Sequence, residues 1–424
     1  MIRKLTARIL VMGGLLASTA FAAAQQDSNT STIPSQLTLQ TAMAMLIRQS
    51  PILLRDQLNS IVARSNLRQA GLRPNPDLEI TSESYPVFES NPGSFWNNQE
   101  LVVRAGQTIE TGGKRSKRIG VARQELAATE SDVQNTLREL KLELKQRYYA
   151  VVLAKAQREL AEEILKQFDD IIRVNEARFK TGELSGLEIN RIRAERARFS
   201  NDLLDADLQL KNSKTALVEL LGVQDLNIAF DVSETLAALT LQLDLASLQR
   251  EALQRRPDLV AETQRLERNR QNLRLQQSEA VPNVTPSFGY KRDFGVNTAA
   301  IGLSAPLPLF NRNQGGVSRA SAEIQQQQYE TSRVELAVRR EVQQAYQTAQ
   351  TQVEKVKALE GQYVPSARKA REIAQQSYRL GALDLIELLD SERTYRETVR
   401  AYNLALFDFN ASLFQLEAAV GKEF

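Results

Sequence analysis

The sequence predicts a mostly α-helical, elongated protein built as a tandem repeat, in which two strand pairs interrupt very long amphipathic helices. Three observations lead there. Gln, Ala, Leu, Arg and Glu dominate and aromatics make up only 6% of the chain, the composition of long helices rather than of a compact α/β enzyme. Lys or Arg alternates with Asp or Glu along most of the chain and the net charge is only +3, which fits solvated helix faces and not a nucleic-acid partner. The third observation is internal repetition. Placing Gly182 on Gly381 aligns, without gaps, Leu184 with Leu383, Leu187 with Ile386, Glu188 with Glu387, Leu217 with Leu416 and Gly222 with Gly421. Upstream, Ser50-Pro51 matches Arg256-Pro257, the "NLR" of Asn66–Arg68 matches that of Asn272–Arg274, and Pro76 matches Pro282. Two units result, residues 37–222 and 243–421, joined by residues 223–242.

The first residues stand apart. Arg3, Lys4 and Arg8, the apolar "ILVMGGLLA" and the small residues of "AFAAAQQ" read as a signal peptide over residues 1–24, cleaved near Ala22 or Ala24. A membrane anchor would need ~20 apolar residues. No other stretch suits a transmembrane helix, and without Cys after the leader a lipid-anchored N-terminus is excluded. The mature chain is expected to be exported, and either soluble or inserted in an outer membrane as strands.

Each unit opens with a helix, Leu37 to about Arg73 and Leu243 to about Ala280, ended by the prolines of "RPNPD" and "VPNVTP". A strand pair follows. "LEITSESYPV" and "ELVVRAGQTI" flank "FESNPGSFWNN" in the first unit, and "VTPSFGYKRDF" and "AAIGLSAPL" flank a shorter Gly-Asn turn in the second. Leu101, Val103 and Ala105 share one face, with Glu100, Arg104 and Gly106 on the other. Ile301, Leu303 and Ala305 repeat the pattern, and Val284, Phe288 and Tyr290 give the preceding strand an apolar face. At ~10 residues the strands have the length that crosses a bilayer when tilted, and equally that of a soluble hairpin packed on a helix. The leader and the helix lengths favour the membrane.

A proline-free helix over Gly113–Lys180 comes next, ~100 Å long at 1.5 Å per residue; its counterpart covers about Gln314–Arg379. A glycine turn leads into a returning helix that ends at Gly222 or Gly421. The opening and returning helices, ~38 residues each, stacked end to end match the long one. Residues 223–242 then fall at mid-height, where "LNIAFDV" is a candidate short strand. Pro365 with Gly361 interrupts the second long helix near that height. Four strands cannot close a membrane barrel, for which about eight are needed, and lipid does not tolerate an open sheet edge. Transmembrane strands would therefore force oligomerisation. Heptad-like stripes such as Leu137, Leu140 and Leu144 ask for lateral partners as well.

The chain has no Cys and no His, which excludes disulfides, thiolate or imidazole metal sites, and catalysis by a Cys or His. Past the leader only Met43 and Met45 remain, too few for a thioether relay. No cofactor and no metal ligand set is expected. "TGGKRSK" and "GGVSRA" lack phosphate-loop spacing. Two stretches stand out, "RFKTGELSGLEINR" (Arg178–Arg191) and "SYRLGALDLIELLD" (Ser377–Asp390). Gly182 and Gly381 can take the left-handed conformation that ends a helix, so each stretch reverses the chain. Glu387 and Asp390 share one helix face, with Glu188 and Arg191 at the matching positions of the first unit. The bland alternative is a solvated face paired with Arg379 or Arg393. Lys114, Arg115, Lys117 and Arg118 lie between strand and helix, where they would line a lumen, contact headgroups or simply solubilise the helix. Trp96 is an interface anchor or an exposed loop residue.

Taken in order, these features resemble the TolC-like outer-membrane efflux proteins over essentially the whole mature chain. The resemblance is carried by the tandem repeat, "RPNPDL", "GQTIETGGKR" (Gly106–Arg115), "PLPLFNRNQGG" (Pro306–Gly316) and the two G-x-L-x-x-[LI]-E turns. The Gly-Lys-Arg box with "PLFNRNQG" is most similar to the CzcC-like branch, which serves heavy-metal pumps of the resistance-nodulation-division (RND) class. The resemblance implies a homotrimer forming a twelve-stranded barrel in outer-membrane lipid and an α-helical tunnel into the periplasm. A periplasmic adaptor and an inner-membrane RND pump would dock on that tunnel. It implies that the tips bearing Gly182, Leu184, Gly381 and Leu383 form the entrance and adaptor-docking surface, and that Glu387 and Asp390 line the constricted mouth. The implied function is a passive exit duct for heavy-metal cations, not an enzyme. Multidrug efflux, type I secretion and a soluble periplasmic coiled-coil scaffold are the alternatives.

Overall fold

The computed structural model describes residues 33–84, 88, 93–94, 99–226, 228–238 and 244–424. The expected leader, Trp96 and the expected start of the second unit at Leu243 lie outside the described residues. The first half contains β1 (Gln36–Leu37), α1 (Leu39–Gln49), α2 (Pro51–Ala70), β2 (Asp77–Glu83), β3 (Glu100–Gly106), α3 (Lys114–Lys180) and α4 (Gly186–Leu220). Then come β4 (Asp231–Val232), α5 (Leu245–Arg255), α6 (Pro257–Glu279), β5 (Thr285–Asp293), β6 (Val296–Ser304), α7 (Gln314–Ala358), α8 (Val364–Arg379) and α9 (Leu385–Val420).

The opening helix expected in each unit is in fact two helices. Pro51 and Pro257 start α2 and α6, and the residues before them, Ser50 and Arg256, are extended at φ −60°, ψ 120° and φ −64°, ψ 121°. A proline disfavours helical geometry in its predecessor, so the break falls there.

Gly113, left-handed at φ 69°, starts α3, which runs unbroken for 67 residues. So polar a helix has no core of its own, and its neighbours cover it in succession. Arg118 donates to the carbonyl of Ala70 (3.0 Å), Thr136 to Asp56 (2.7 Å) and Tyr148 to the carbonyl of Leu37 (2.7 Å). Arg147 then donates to the carbonyl of Ala216 (2.6 Å), Arg158 to Asp207 (3.1 Å), and Arg196 to Asp169 (2.6 Å). Thus α2, α1 and α4 lie end to end along α3. At the join, β1 pairs in parallel with β4, so the strand expected in "LNIAFDV" is reduced to Asp231–Val232. The second long helix is interrupted by one π turn, Leu359–Tyr363, between α7 and α8. Pro365 lacks an N–H and would crowd the carbonyl of Gly361. The wider turn absorbs this, with the Val364 N–H bonded to the carbonyl of Leu359.

The four longer strands form one antiparallel sheet in the order β2-β3-β5-β6. Leu78 opposes Ala105, Ala105 opposes Phe288, and Phe288 opposes Ile301; Ile80, Val103 and Tyr290 form the next row. Directly opposed residues share a face, so this face is apolar. It is also exposed, with Leu78 at 68%, Ile301 at 86% and Leu303 at 74%. Asp77, Glu79, Arg104, Ser287, Lys291 and Thr298 occupy the other face. The strands are shorter than expected, seven residues in β2 and β3 and nine in β5 and β6. Val284 precedes β5 in an isolated bridge to Ile109, and Ala305 lies just past β6. The turn between β5 and β6 is Phe294-Gly295, at φ 43° and 86°, not the expected Gly-Asn. Positive φ at both central residues suits the twist of a tight hairpin, and Asn297 is left within the strand.

Buried clusters are strung along the axis. One surrounds Leu46, Leu144, Tyr148 and Leu217, two others centre on Val342 and Phe409, and one lies near the hairpin tips around Phe168, Ile192 and Leu388. Gly222 closes α4 against the break between α1 and α2. A Cβ there would stand 2.9 Å from both the carbonyl oxygen of Gln49 and Cδ of Pro51, whereas a Cβ on Gly182 would meet nothing within 4 Å. Both glycines have positive φ. Gly182→Ala should therefore cost about 1 to 2 kcal/mol from backbone conformation alone. Gly222→Ala should cost about 3 kcal/mol or more because overpacking adds to it. Denaturant midpoints of the two variants, measured side by side, check the order.

Candidate functional site

Both reversals are built alike. After α3 the N–H of Gly182 bonds to the carbonyl of Phe179 (3.1 Å) and that of Glu183 to Arg178 (2.9 Å). After α8, Gly381 bonds to Tyr378 (3.0 Å) and Ala382 to Ser377 (2.9 Å). These are paired Schellman closures, which need a left-handed residue, and both glycines supply it at φ 81° and 73°.

The helices that leave the tips start differently. Ser185 caps α4 in a reciprocal box: its hydroxyl accepts from the N–H of Glu188 (3.2 Å), whose carboxylate accepts from the N–H of Ser185 (3.0 Å). That bonding, Ser185 first, holds the Glu188 carboxyl below the usual carboxylate range. In α9 the cap is Asp384, which accepts from the N–H of Glu387 (2.9 Å). Glu387 and Asp390 are exposed on one face, and among the described residues neither side chain has an ion-pair or hydrogen-bond partner. The alternative pairing with Arg379 or Arg393 is absent. Aligned Glu188 and Glu387 are therefore chemically unlike, one engaged in a cap and the other presented to solvent.

Leu184 and Leu383 are half-buried and pack on the shared tip cluster, which brings the two reversals together. Apolar side chains presented outward there include Phe179, Leu187, Leu380 and Ile386. Polar contacts not foreseen from the sequence tie the hairpins. Tyr378 donates to Asn175 (2.7 Å), and burial raises the Tyr378 pKa, so it remains a donor. Arg396 of α9 pairs with Asp202 of α4. Within the second hairpin Arg371 and Glu392, both buried, pair at 2.9 Å; Gln375 donates to the same carboxylate (2.5 Å), and Arg371 lies 4.2 Å from the Tyr395 ring centroid. One signal was available. In the register of Gly182 on Gly381, Tyr378 falls on Phe179, Arg371 on Ile172 and Glu392 on Arg193, so these groups belong to the second unit alone.

At the other end the Gly-Lys-Arg box caps helices. Lys114 is buried and donates to the carbonyl of Val281 and to Asn283, both at 2.7 Å. Arg115 donates to the carbonyl of Gly71 (2.7 Å), and Arg118 to those of Ala70 and Leu72 and to Glu110. For Lys114 and Arg118 the lumen and headgroup expectations give way to satisfaction of helix-terminal carbonyls.

Among the described residues no helix is long and apolar enough to cross a membrane, and no group of three or more acidic residues is placed to hold a metal ion. The architecture is that of an elongated helical protein capped by a sheet with one exposed apolar face. The chain belongs to the outer membrane efflux protein family, whose pattern matches residues 43–223 and 248–422. It is 25% identical to the cobalt-zinc-cadmium resistance protein CzcC of Cupriavidus metallidurans over 88% of this chain and 89% of that one. It is 27% identical to the pyoverdine export outer membrane protein OpmQ of Pseudomonas putida, over 73% and 67%. A crystal structure of CusC superposes with TM-score 0.77 at 20% identity, covering 95% of this chain and 96% of that one. That of VceC from Vibrio cholerae superposes at 0.75 and 22%, covering 91% and 96%.

Two predictions concern the tips. Glu392→Leu alone should destabilise the second hairpin by about 3 to 5 kcal/mol, because it strands a buried guanidinium, and Arg371→Met added to it should restore most of the loss. Denaturation of the single and double variants tests this. Because the Glu188 pKa is lowered in the folded chain, its stabilisation is present above pH 4.5 and lost as pH falls through the lowered value. Ser185→Ala should cost about 1 kcal/mol at neutral pH and progressively less in acid, read from hydrogen exchange of the amides of Ile189–Arg193.

Proposed function

We propose that the protein is the outer-membrane exit channel of a tripartite efflux system, a passive conduit exporting heavy-metal cations. The observation that carries this is the sheet. One face is apolar and exposed, the other is polar, and β2 and β6 leave open edges. Such edges are costly in lipid unless a barrel closes. Three copies joined edge to edge form a twelve-stranded barrel around the polar faces, with their helices continuing it as a tunnel into the periplasm. Energy comes from an inner-membrane RND pump, bridged to the hairpin tips by a periplasmic adaptor. Gly182 and Gly381 shape the docking tips, with Leu184 and Leu383 as their packed bases. Glu387 and Asp390 form an acidic ring at the mouth that concentrates cations. The names of CzcC and of the cation efflux protein CusC support a metal cargo; that of OpmQ favours an organic chelator as a second reading.

In planar bilayers the purified protein should form conducting pores that multivalent cations block from the tip side. Glu387→Gln/Asp390→Asn should weaken that block by roughly an order of magnitude, since both charges act at close range. Unchanged block would remove the acidic mouth. A water-soluble protein without conductance would replace the channel with a scaffold.

A further inference from the structure

Where the sheet meets the helices, its apolar face does not stop at Leu303. The connection from β6 to α7 continues with Leu307, Leu309 and Phe310, all exposed, Phe310 at 93%. At this same end of the sheet the connections carry Arg73 and Arg312, and the first turn of α3 carries Arg115 and Lys117. Arg115, Lys117 and Arg312 donate only to the backbone carbonyls of Gly71, Gly112 and Pro308, and none of the four cations has an acidic partner among the described residues. The acids at this end are engaged or turned away. Glu110 pairs with Arg118 and Glu279 with Lys114, and Asp77 lies on the polar face of β2.

We propose that this collar binds anionic phospholipid headgroups of the leaflet facing the helical tunnel, with Leu307, Leu309 and Phe310 among the acyl chains. The inference rests on the reading of the sheet as membrane-spanning. Two features select lipid over a protein partner. The apolar strip follows the bilayer-assigned surface directly along the chain, and apart from Asp77 on the polar face of the sheet the unpaired charges here are positive among the described residues. Aromatic and apolar side chains beside Lys and Arg suit the membrane–water boundary. Each basic residue near an anionic surface favours binding by roughly five-fold.

The sole tryptophan is Trp96, so Trp96→Phe with Phe310→Trp places one reporter on the collar. The purified protein is reconstituted into phosphatidylcholine vesicles carrying acyl-brominated lipid. Brominated phosphatidylglycerol should quench the reporter, and should do so several-fold more effectively than brominated phosphatidylcholine. Arg73→Gln/Arg312→Gln should bring the two lipids close to parity. Leu309→Trp is the second reporter should Phe310→Trp fail to assemble. A tryptophan unquenched in vesicles that still conduct overturns the collar and leaves the channel standing. Equal quenching by both lipids in the unsubstituted collar overturns anionic recognition. Loss of both quenching and conductance overturns the channel reading, and the collar with it.

Discussion

The structure depends on one constraint: a polar helix of 67 residues has no core of its own and must be covered along its whole length by shorter helices. The junction of those helices is consequently crowded. Gly222 presses on Gln49 and Pro51, Tyr148 bonds to the carbonyl of Leu37 at the middle of α3, and β1 and β4 zip the ends together. Pro51 has a constructive role here. By ending α1 it turns the chain at the level where α4 arrives, and the side chain of Gln49 meets the incoming helix end. Gln49 donates to the carbonyl of Leu221 at 2.9 Å. The second half repeats the device with different chemistry. Buried Arg256 reaches Asp258 and Glu341, each at 2.5 Å. Burial pushes Asp258 upward, but the hydrogen bond and charge of Arg256 more than offset it and keep the carboxyl below its usual range.

The two halves share a scaffold, each matching the family pattern, but they are unequal. The first long helix is uninterrupted and its tip is locked by a reciprocal cap. The second carries a π turn between the mid-height junction and the tip, and its returning helix presents the unpaired carboxylates of Glu387 and Asp390 near that tip. A π turn concentrates bending at one place in a helix. The polar contacts between hairpins, buried Tyr378 with Asn175 and partly exposed Arg396 with Asp202, gather below that turn. The unit that bears the acidic face is thus also the one with a built-in flexure and polar ties to its neighbour.

Much of this was legible in the sequence where the cause is local. Positive-φ glycines ended helices at Gly182, Gly222, Gly381 and Gly421, and alternation in Leu101–Ala105 found the apolar face. The breaks at Pro51 and Pro257 read from sequence as helix interior, because their helical flanks outweigh a preference that acts on a single preceding residue. Other features stayed hidden because their partners are remote. Tyr378 and Asn175 lie 203 positions apart, and nothing near Lys114 announces that the carbonyl of Val281 will take its ammonium. A charged residue beside a helix start reads as solvated until the other half of the chain is folded over it.

The ligand chemistry bears on how such a conduit would work. Without Cys or His, and with Met43 and Met45 the sole thioethers past the leader, the chain offers a cation chiefly oxygen donors, and those at Glu387 and Asp390 are exposed rather than caged. Borderline and soft divalent metals prefer imidazole and thiolate, so hydrated carboxylates attract them by charge without holding them. Conduction requires that balance, since an ion bound firmly enough to be recognised would also stay. An acidic mouth on a chain poor in strong ligands, as proposed, would therefore raise local cation concentration without choosing among divalent metals. On that reading the choice would be made upstream, by whatever delivers the ion to the tips.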